Sequence, residues 1–166
     1  MTTMHPSRSV PLQAAALVAS IVICFSAAGL GGLATATGLE TWYGGLTKPT
    51  WNPPNWVFGP VWSVLYLMMA IAAWLVWRKT TWPENRWAMG LFTLQLGLNS
   101  LWSILFFGFH RPGLAAIEII ALWSAILATI VAFWKHSKVA GGLLVPYLMW
   151  VSFATVLNVT IWHLNR

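Results

Sequence analysis

Long apolar stretches separated by polar breaks run along nearly the whole chain. A helix that crosses a membrane needs about 20 mostly apolar residues. Five stretches reach that length, at residues 10–37, 57–77, 87–108, 112–134 and 139–162. Because a spanning helix satisfies its own backbone hydrogen bonds, this pattern predicts an all-α integral membrane protein. We expect residues 1–166 to form one domain, a five-helix bundle.

One connection between the predicted spans is much longer than the others. Residues 38–56 are rich in glycine, proline and tryptophan, and prolines disfavour helix at and just before their own positions. A long loop in a compact protein is usually functional. We interpret this segment as a lid that lays apolar surface on the bundle. Its aromatic side chains are Trp42, Tyr43, Trp51 and Trp56.

The composition excludes an ordinary soluble domain. Charged residues make up 7% of the chain and hydrophobic residues 58%, whereas soluble domains contain about 25% charged residues. The chain also has 13 tryptophans, a residue type that anchors helices at the membrane interface. Several of them fall well inside the spans, beside rare polar groups. That combination predicts a pocket for a flat, apolar ligand.

The net charge of +6 is spread over short connections and resembles no nucleic-acid-binding surface. Lys and Arg concentrate on the cytoplasmic side of membrane proteins, so their distribution predicts orientation. Five spans place six basic residues on the N-terminal side and three on the side of the long loop. We therefore expect a cytoplasmic N-terminus, with the long loop and the C-terminus outside. The two sets are Arg8, Arg78, Lys79, Arg86, Lys135 and Lys138, against Lys48, Arg111 and Arg166.

Polar and aromatic side chains recur at helical spacing inside three of the spans. Steps of three and four residues place side chains on one helix face. Such faces are formed by Trp62 and Tyr66, by Gln95, Asn99, Trp102 and Phe106, and by Tyr147, Trp150, Ala154 and Asn158. At about 1.5 Å per residue, some of these residues form one layer under the loop, together with the only acidic residue within a span. That layer contains Trp62, Asn99, Trp102, Glu118, Ala154 and Asn158, with Trp123 and Trp150 next.

Two interpretations of this layer stay open. Aromatic walls with a few polar groups are typical of a binding cavity. Alternatively, Gln95, Asn99 and Asn158 could simply hydrogen-bond neighbouring helices, and Glu118 could reach the interface. The sequence shows no nucleophile–base pattern. The histidines at 5, 110, 136 and 163 lack ligand spacing, so we expect no metal site.

Three ordered motifs resemble a known family over about residues 40–165. They are Trp42-Tyr43-x-x-Leu46-x-Lys48-Pro49-x-Trp51-x-Pro53-Pro54 with Val57-Phe58-x-Pro60-Val61-Trp62-x-x-Leu65-Tyr66, then Gln95-Leu96-x-Leu98-Asn99-x-x-Trp102-Ser103-x-x-Phe106-Phe107-Gly108, and Val145-Pro146-Tyr147-Leu148-x-Trp150-Val151-x-Phe153-Ala154-x-x-Leu157-Asn158. They resemble the TspO/MBR family, the tryptophan-rich sensory proteins related to the translocator protein, or peripheral-type benzodiazepine receptor.

The resemblance implies a five-helix bundle, commonly a homodimer, that has no obligatory cofactor. Family members bind porphyrins such as protoporphyrin IX and haem, and isoquinoline or benzodiazepine ligands, in a pocket capped by the first loop. The resemblance also implies a possible light-dependent breakdown of porphyrin, in which Trp62 and Trp150 are the candidate catalytic residues. The implied ligand contacts are Tyr43, Trp51, Pro53, Trp62, Tyr66, Asn99, Trp102, Trp150 and Ala154.

One feature departs from the animal members of the family, which carry a proposed cholesterol motif with a tyrosine on the fifth helix. Residues 157–166 contain no tyrosine here, which favours a bacterial member in the cell membrane. The expected function is a receptor or sensor of porphyrins, with a role in tetrapyrrole transport or regulation. A light-dependent porphyrin-degrading activity, a small lipid or sterol transporter and a pure scaffold are the alternatives.

Overall fold

The predicted membrane bundle is confirmed by a computed structural model, which describes residues 8–166. Five helical rods are long and apolar enough to cross a membrane. The third rod is α3 extended by a π-helical turn, Ile104–Gly108, and the fifth is α5 followed by α6. The helices are α1 Val10–Leu39, α2 Asn55–Lys79, α3 Trp82–Ser103, α4 Pro112–His136, α5 Lys138–Leu143 and α6 Val145–Leu164.

Helix α3 begins at Trp82, five residues before the predicted start at 87. The added turn is polar, so hydrophobicity does not reveal it. Its stability comes from a capping box, in which the Thr81 backbone N–H donates to Oε2 of Glu84 at 2.7 Å. Pro83 lies in the first turn, where a missing N–H costs nothing.

The fifth rod is interrupted at Leu144, between α5 and α6. The Leu144 N–H bonds to the carbonyl of Gly141 at 3.1 Å, a tighter turn than an α-helix makes. Pro146 follows in the first turn of α6, where a proline is tolerated because its missing N–H has no partner within the helix. The short α5 packs along α2, and α6 packs along α4.

The helices close into a ring around one core. α1 packs on α2 and α3, α3 on α4, α4 on α5 and α6, and α5 returns to α2. Between α2 and α6 the contact is made by rings, with centroid distances of 6.1 Å for both Phe58–Trp150 and Trp62–Tyr147. These rings bridge the gap between α2 and α6.

Contacts between distant segments define the two ends of the bundle. At the loop end, Thr47 hydrogen-bonds Asn165, so the C-terminus and the first loop share this end. At the far end, Arg8 donates to the carbonyl of Thr80 at 2.7 Å. Lys79 donates to Ser137 at that same end, at 3.4 Å. The six and three basic residues therefore lie at the two ends to which the five-span topology assigns them.

Helix α1 contains two glycines that allow close packing within the bundle. A Cβ on Gly31 would lie 3.1 Å from Oγ of Ser103, and a Cβ on Gly38 would overlap the backbone of Phe107. Beside them, Ser100 donates to the carbonyl of Ala27 at 3.0 Å. The small pair Ala27 and Gly31 thus packs inside the bundle. The neighbouring Gly32 has open space around it.

We expect Gly38→Ala to destabilise the protein, because the added methyl group must push α1 away from the π-helical turn. Such overpacking typically costs about 1–3 kcal/mol. Thermal unfolding in detergent would show a lower Tm. The matched control is Gly32→Ala, whose Cβ meets nothing within 4 Å and which replaces a poor helix former. Equal Tm values for the two variants would contradict the close approach.

Candidate functional site

An aromatic cavity lies under the first loop, between α2, α3 and α6. Its volume is about 20 Å³, which is room for about one water molecule. Almost all of the surrounding atoms are apolar, so the cavity has the chemistry of a site for an apolar ligand but is nearly filled. The lining residues are Tyr43, Phe58, Trp102, Phe106, Phe107, Trp150, Phe153, Ala154, Leu157, Asn158 and Ile161.

One wall of the cavity is held in place by an amide. The ring of Trp102 stacks on Phe106 with centroids 5.3 Å apart. The indole Nε1–H of Trp102 donates to Oδ1 of Asn158 at 3.0 Å. Asn158 in turn donates from Nδ2 to the carbonyl of Pro112 at 2.8 Å. This chain joins α3, α6 and α4, and it fixes the ring while leaving no indole donor unpaired in the membrane.

A second polar chain lies below the cavity. The Tyr66 hydroxyl donates to Oδ1 of Asn99 at 2.5 Å, and Nδ2 of Asn99 donates to the Tyr147 hydroxyl at 3.0 Å. Trp62 packs beside both phenol rings, at centroid distances of 5.7 Å from Tyr66 and 6.1 Å from Tyr147. These four residues form a floor layer, and here Asn99 serves as a link between helices.

Tyr43 closes the cavity from above. It begins a short 3₁₀ turn, Tyr43–Gly45, and its side chain is only 1% exposed. Its ring packs against Phe106 and Phe107, at 6.1 and 5.6 Å, and its hydroxyl donates to Oδ1 of Asn52 at 2.6 Å. Burial raises the pKa of Tyr43 to about 12, although the hydrogen bond to Asn52 acts in the opposite direction.

The first loop is attached to the bundle at two further points. The Thr47 N–H donates to Oδ1 of Asn165 at 2.9 Å, and Nδ2 of Asn165 donates to the Thr47 carbonyl at 2.9 Å. Trp42 stacks on His110 with ring centroids 4.6 Å apart. His110 has a φ of 55°, which the tight turn between the third and fourth rods requires. These contacts hold the loop closed over the cavity.

A cation stands at the mouth of the cavity. Nζ of Lys48 lies 4.9 Å from the centroid of the Tyr43 ring. It donates to the carbonyls of Gly44 and Leu46 at 3.2 and 3.4 Å. Backbone carbonyls are its hydrogen-bond partners in the described part of the chain. An anionic group that entered the mouth could therefore replace them.

The structure brings the nine residues predicted as ligand contacts to the loop end of the bundle, at three levels. Tyr43, Trp102, Trp150 and Ala154 line the cavity itself. Trp62, Tyr66 and Asn99 belong to the floor layer. Trp51 and Pro53 belong to the loop: Trp51 is 45% exposed and lies 5.9 Å from the ring of Phe153, while the Pro53 carbonyl accepts a bond from Asn52.

Several lining residues escaped the sequence-based selection. Phe58 precedes Trp62 by four residues and Phe153 follows Trp150 by three, so helical spacing was a signal that could have found both. The roles of Asn52 and Asn165 had no such signal. Each amide bonds to a loop residue whose position depends on the folded loop.

One residue predicted in the same layer, Trp123, lies elsewhere. Trp123 donates to Oγ of Ser152 at 2.8 Å and lines a separate groove between α4 and α6, because its helix turns it away from the cavity. Both carboxyl oxygens of Glu118 are buried without a hydrogen-bond partner in the described residues. Within residues 8–166, no three His, Cys, Asp or Glu side chains cluster as a metal site, and His5 lies outside this range.

We expect Asn165→Ala to loosen the closed loop, because it removes the two hydrogen bonds to Thr47, worth about 1 kcal/mol each. Burial favours the neutral phenol of Tyr43, so closure weakens as the pH rises from about 10 towards 12. In the variant the pKa of Tyr43 should fall towards its ordinary value. The measurement is a phenolate absorbance titration, with Tyr43→Phe to assign the signal and Asn55→Ala as control. An unchanged pKa would show that Asn165 does not hold the loop.

Comparison with known proteins assigns the family. A sequence profile of the TspO/MBR family matches residues 20–163. The chain is 46% identical to the tryptophan-rich protein TspO of Archaeoglobus fulgidus, over 90% of this chain and 96% of that protein. It is 42% identical to the human translocator protein over 75% of each chain. It is 39% identical to the tryptophan-rich sensory protein of Cereibacter sphaeroides, over 76% of this chain and 78% of that protein. The chain therefore belongs to the TspO/MBR family of membrane proteins.

Proposed function

We propose that this protein is a membrane receptor or sensor that binds porphyrins, such as protoporphyrin IX or haem, in the cavity under the first loop. The observation that carries the proposal is the lining of that cavity, where ring faces of Trp102, Phe106 and Trp150 surround an almost wholly apolar space. A porphyrin is a flat, largely apolar ring system, and stacking on such faces supplies affinity. The resemblance described above implies the same ligand class.

Binding requires the loop to move. Pockets for ligands of this size occupy roughly 300–1,000 Å³, far more than the 20 Å³ available in the closed state. Tyr43 fills the upper part, so its ring is the group that a ligand must displace. His110 holds the loop at Trp42, and Asn165 holds it at Thr47. Release of these contacts would open the cavity from the loop end and leave the floor layer intact.

The mouth of the cavity suits the acidic edge of a porphyrin. The two propionates of protoporphyrin IX are anionic and would stay near water, while the apolar ring enters the cavity. Lys48 lies over the Tyr43 ring at this mouth, and its present partners are backbone carbonyls. Exchange of these carbonyls for a propionate gives a charge-assisted hydrogen bond, which is stronger than a neutral one.

We further propose that the N-terminus is cytoplasmic in a bacterial cell membrane, because the far end of the bundle carries more basic residues than the loop end. A homodimer is also proposed from the family resemblance. Neither proposal changes the chemistry of the cavity, which lies within one chain.

Protoporphyrin IX should bind saturably in the dark, and Trp150→Phe should raise its Kd about three- to tenfold because a ring face is reduced. The measurement is quenching of the remaining tryptophans during titration of purified protein in detergent. Trp87→Phe is the matched control, since Trp87 is 75% exposed at the far end. Quenching that never saturates, or equal effects of both substitutions, would refute binding in the cavity.

Lys48→Met should weaken protoporphyrin IX more than its dimethyl ester, in which the propionates carry no charge. We expect about a tenfold rise in Kd for the acid, as for the loss of one charge-assisted hydrogen bond, and little change for the ester. Titrations of both ligands against wild type and variant give the comparison. The control is Arg111→Met, which removes another cation from the loop end. Equal losses for acid and ester would exclude Lys48 as the propionate partner.

A further inference from the structure

We propose that a groove at the far end of the bundle, formed by α1, α2 and α3, binds one anionic phospholipid. An acyl chain would lie in the groove, and the phosphate would be held by Arg8 and Arg78. This site is separate from the cavity under the first loop, because the two lie at opposite ends of the bundle and share no lining residue. The inference does not depend on the proposed porphyrin binding.

The groove has room for an apolar chain. Its volume is about 310 Å³. Ala16 and Ala19 of α1 form a floor of small side chains, while Trp74 and Trp77 of α2 and Phe92 of α3 form the walls. Small residues between large aromatic ones leave a furrow on the surface that faces the membrane.

The polar groups along the groove are already engaged. The Ser20 hydroxyl donates to the carbonyl of Ala70 at 2.8 Å. Trp74 donates from Nε1 to the carbonyl of Gln13 at 3.0 Å. The hydroxyl of Thr93 likewise bonds within its own helix. Because these donors already have acceptors, the middle of the groove favours a hydrocarbon occupant over a polar one.

Two arginines stand over the two tryptophans that form the walls. The Arg8 guanidinium lies 3.7 Å from the ring centroid of Trp77, and that of Arg78 lies 4.6 Å from Trp74. At these distances the face of an indole ring stabilises each cation. Arg8 uses Nη2 to bond the carbonyl of Thr80, whereas Nη1 is buried without a partner in the part of the chain that the structure describes. A phosphate that reached Nη1 would pair this donor, and a planar guanidinium matches phosphate oxygens well.

Charge decides between the possible occupants. Lys79 lies at the same end and adds to its positive potential, so an anionic headgroup is attracted more strongly than a zwitterionic one. Two copies of the chain paired through this groove would bring Arg8 and Arg78 of both copies to one interface. Such like-charge contact disfavours pairing. A sterol would fill the groove but leave the arginines without an anion.

The test is native mass spectrometry of detergent-purified protein, mixed with phosphatidylglycerol or phosphatidylcholine of identical acyl chains. Wild type should retain one phosphatidylglycerol in clear preference to phosphatidylcholine. Arg8→Gln and Arg78→Gln should each reduce that retention about fivefold, the usual effect of one charge near a lipid headgroup. Arg86→Gln is the matched control, since its guanidinium lies 5.7 Å from Trp87, which does not line the groove. Equal retention of both lipids, or an equal loss with the control, would overturn the proposal.

A second pair of variants tests the acyl chain apart from the charges. Ala19→Leu should fill the floor and abolish phosphatidylglycerol retention, whereas Ala15→Leu, outside the lining, should not. Inorganic phosphate at the same concentration should not displace the lipid. Displacement by phosphate alone would show that the chain contributes nothing. A dimer that Ala19→Leu dissociates with lipid retention unchanged would show that a second copy occupies the groove. Either result would refute lipid binding there.

Discussion

The need to pair polar groups inside a membrane shapes the candidate site. A buried amide or hydroxyl without a partner is costly, and the bilayer core supplies no water to help. Asn99 and Asn158 each form hydrogen bonds to two groups on other helices. The same bonds orient Trp102 and Tyr147, whose rings bound the cavity and its floor. These two asparagines thus stabilise the helix arrangement and also position the aromatic surface.

The cavity lies where the fifth rod departs from α2. The short α5 packs on both α2 and α4, whereas α6 packs on α4. Between α2 and α6 the remaining distance is bridged by ring contacts. Rings can rearrange without breaking backbone hydrogen bonds, so under the proposed function the Phe58–Trp150 contact can give way while the floor layer stays in place. Tyr43 occupies the space in the closed state, and a ligand must offer more stacking area than one phenol ring to replace it.

The fold could be predicted from sequence because its main signal is local. The five apolar runs and the face shared by Asn99 and Trp102 are properties of one stretch each. The added turn at Trp82 depends on a capping box of Thr81 and Glu84, which is also a local signal but not a hydrophobic one. The depth of Trp123 along its helix predicts it in the cavity layer, but its rotation about the helix axis turns it elsewhere. The rotation is set by packing on α6, where Ser152 takes its hydrogen bond.

The two ends of the bundle use tryptophan in different ways. At the loop end, Trp102 and Trp150 line a closed space under a loop that is tied by neutral amides and rings. At the far end, Trp74 and Trp77 line an open groove and carry arginines on their faces. A tryptophan that stacks on a neutral ligand ring needs an uncharged face, whereas a tryptophan that carries an arginine on its face needs to lie near water. One tryptophan cannot meet both needs, so the two kinds of tryptophan site lie at opposite ends of the bundle.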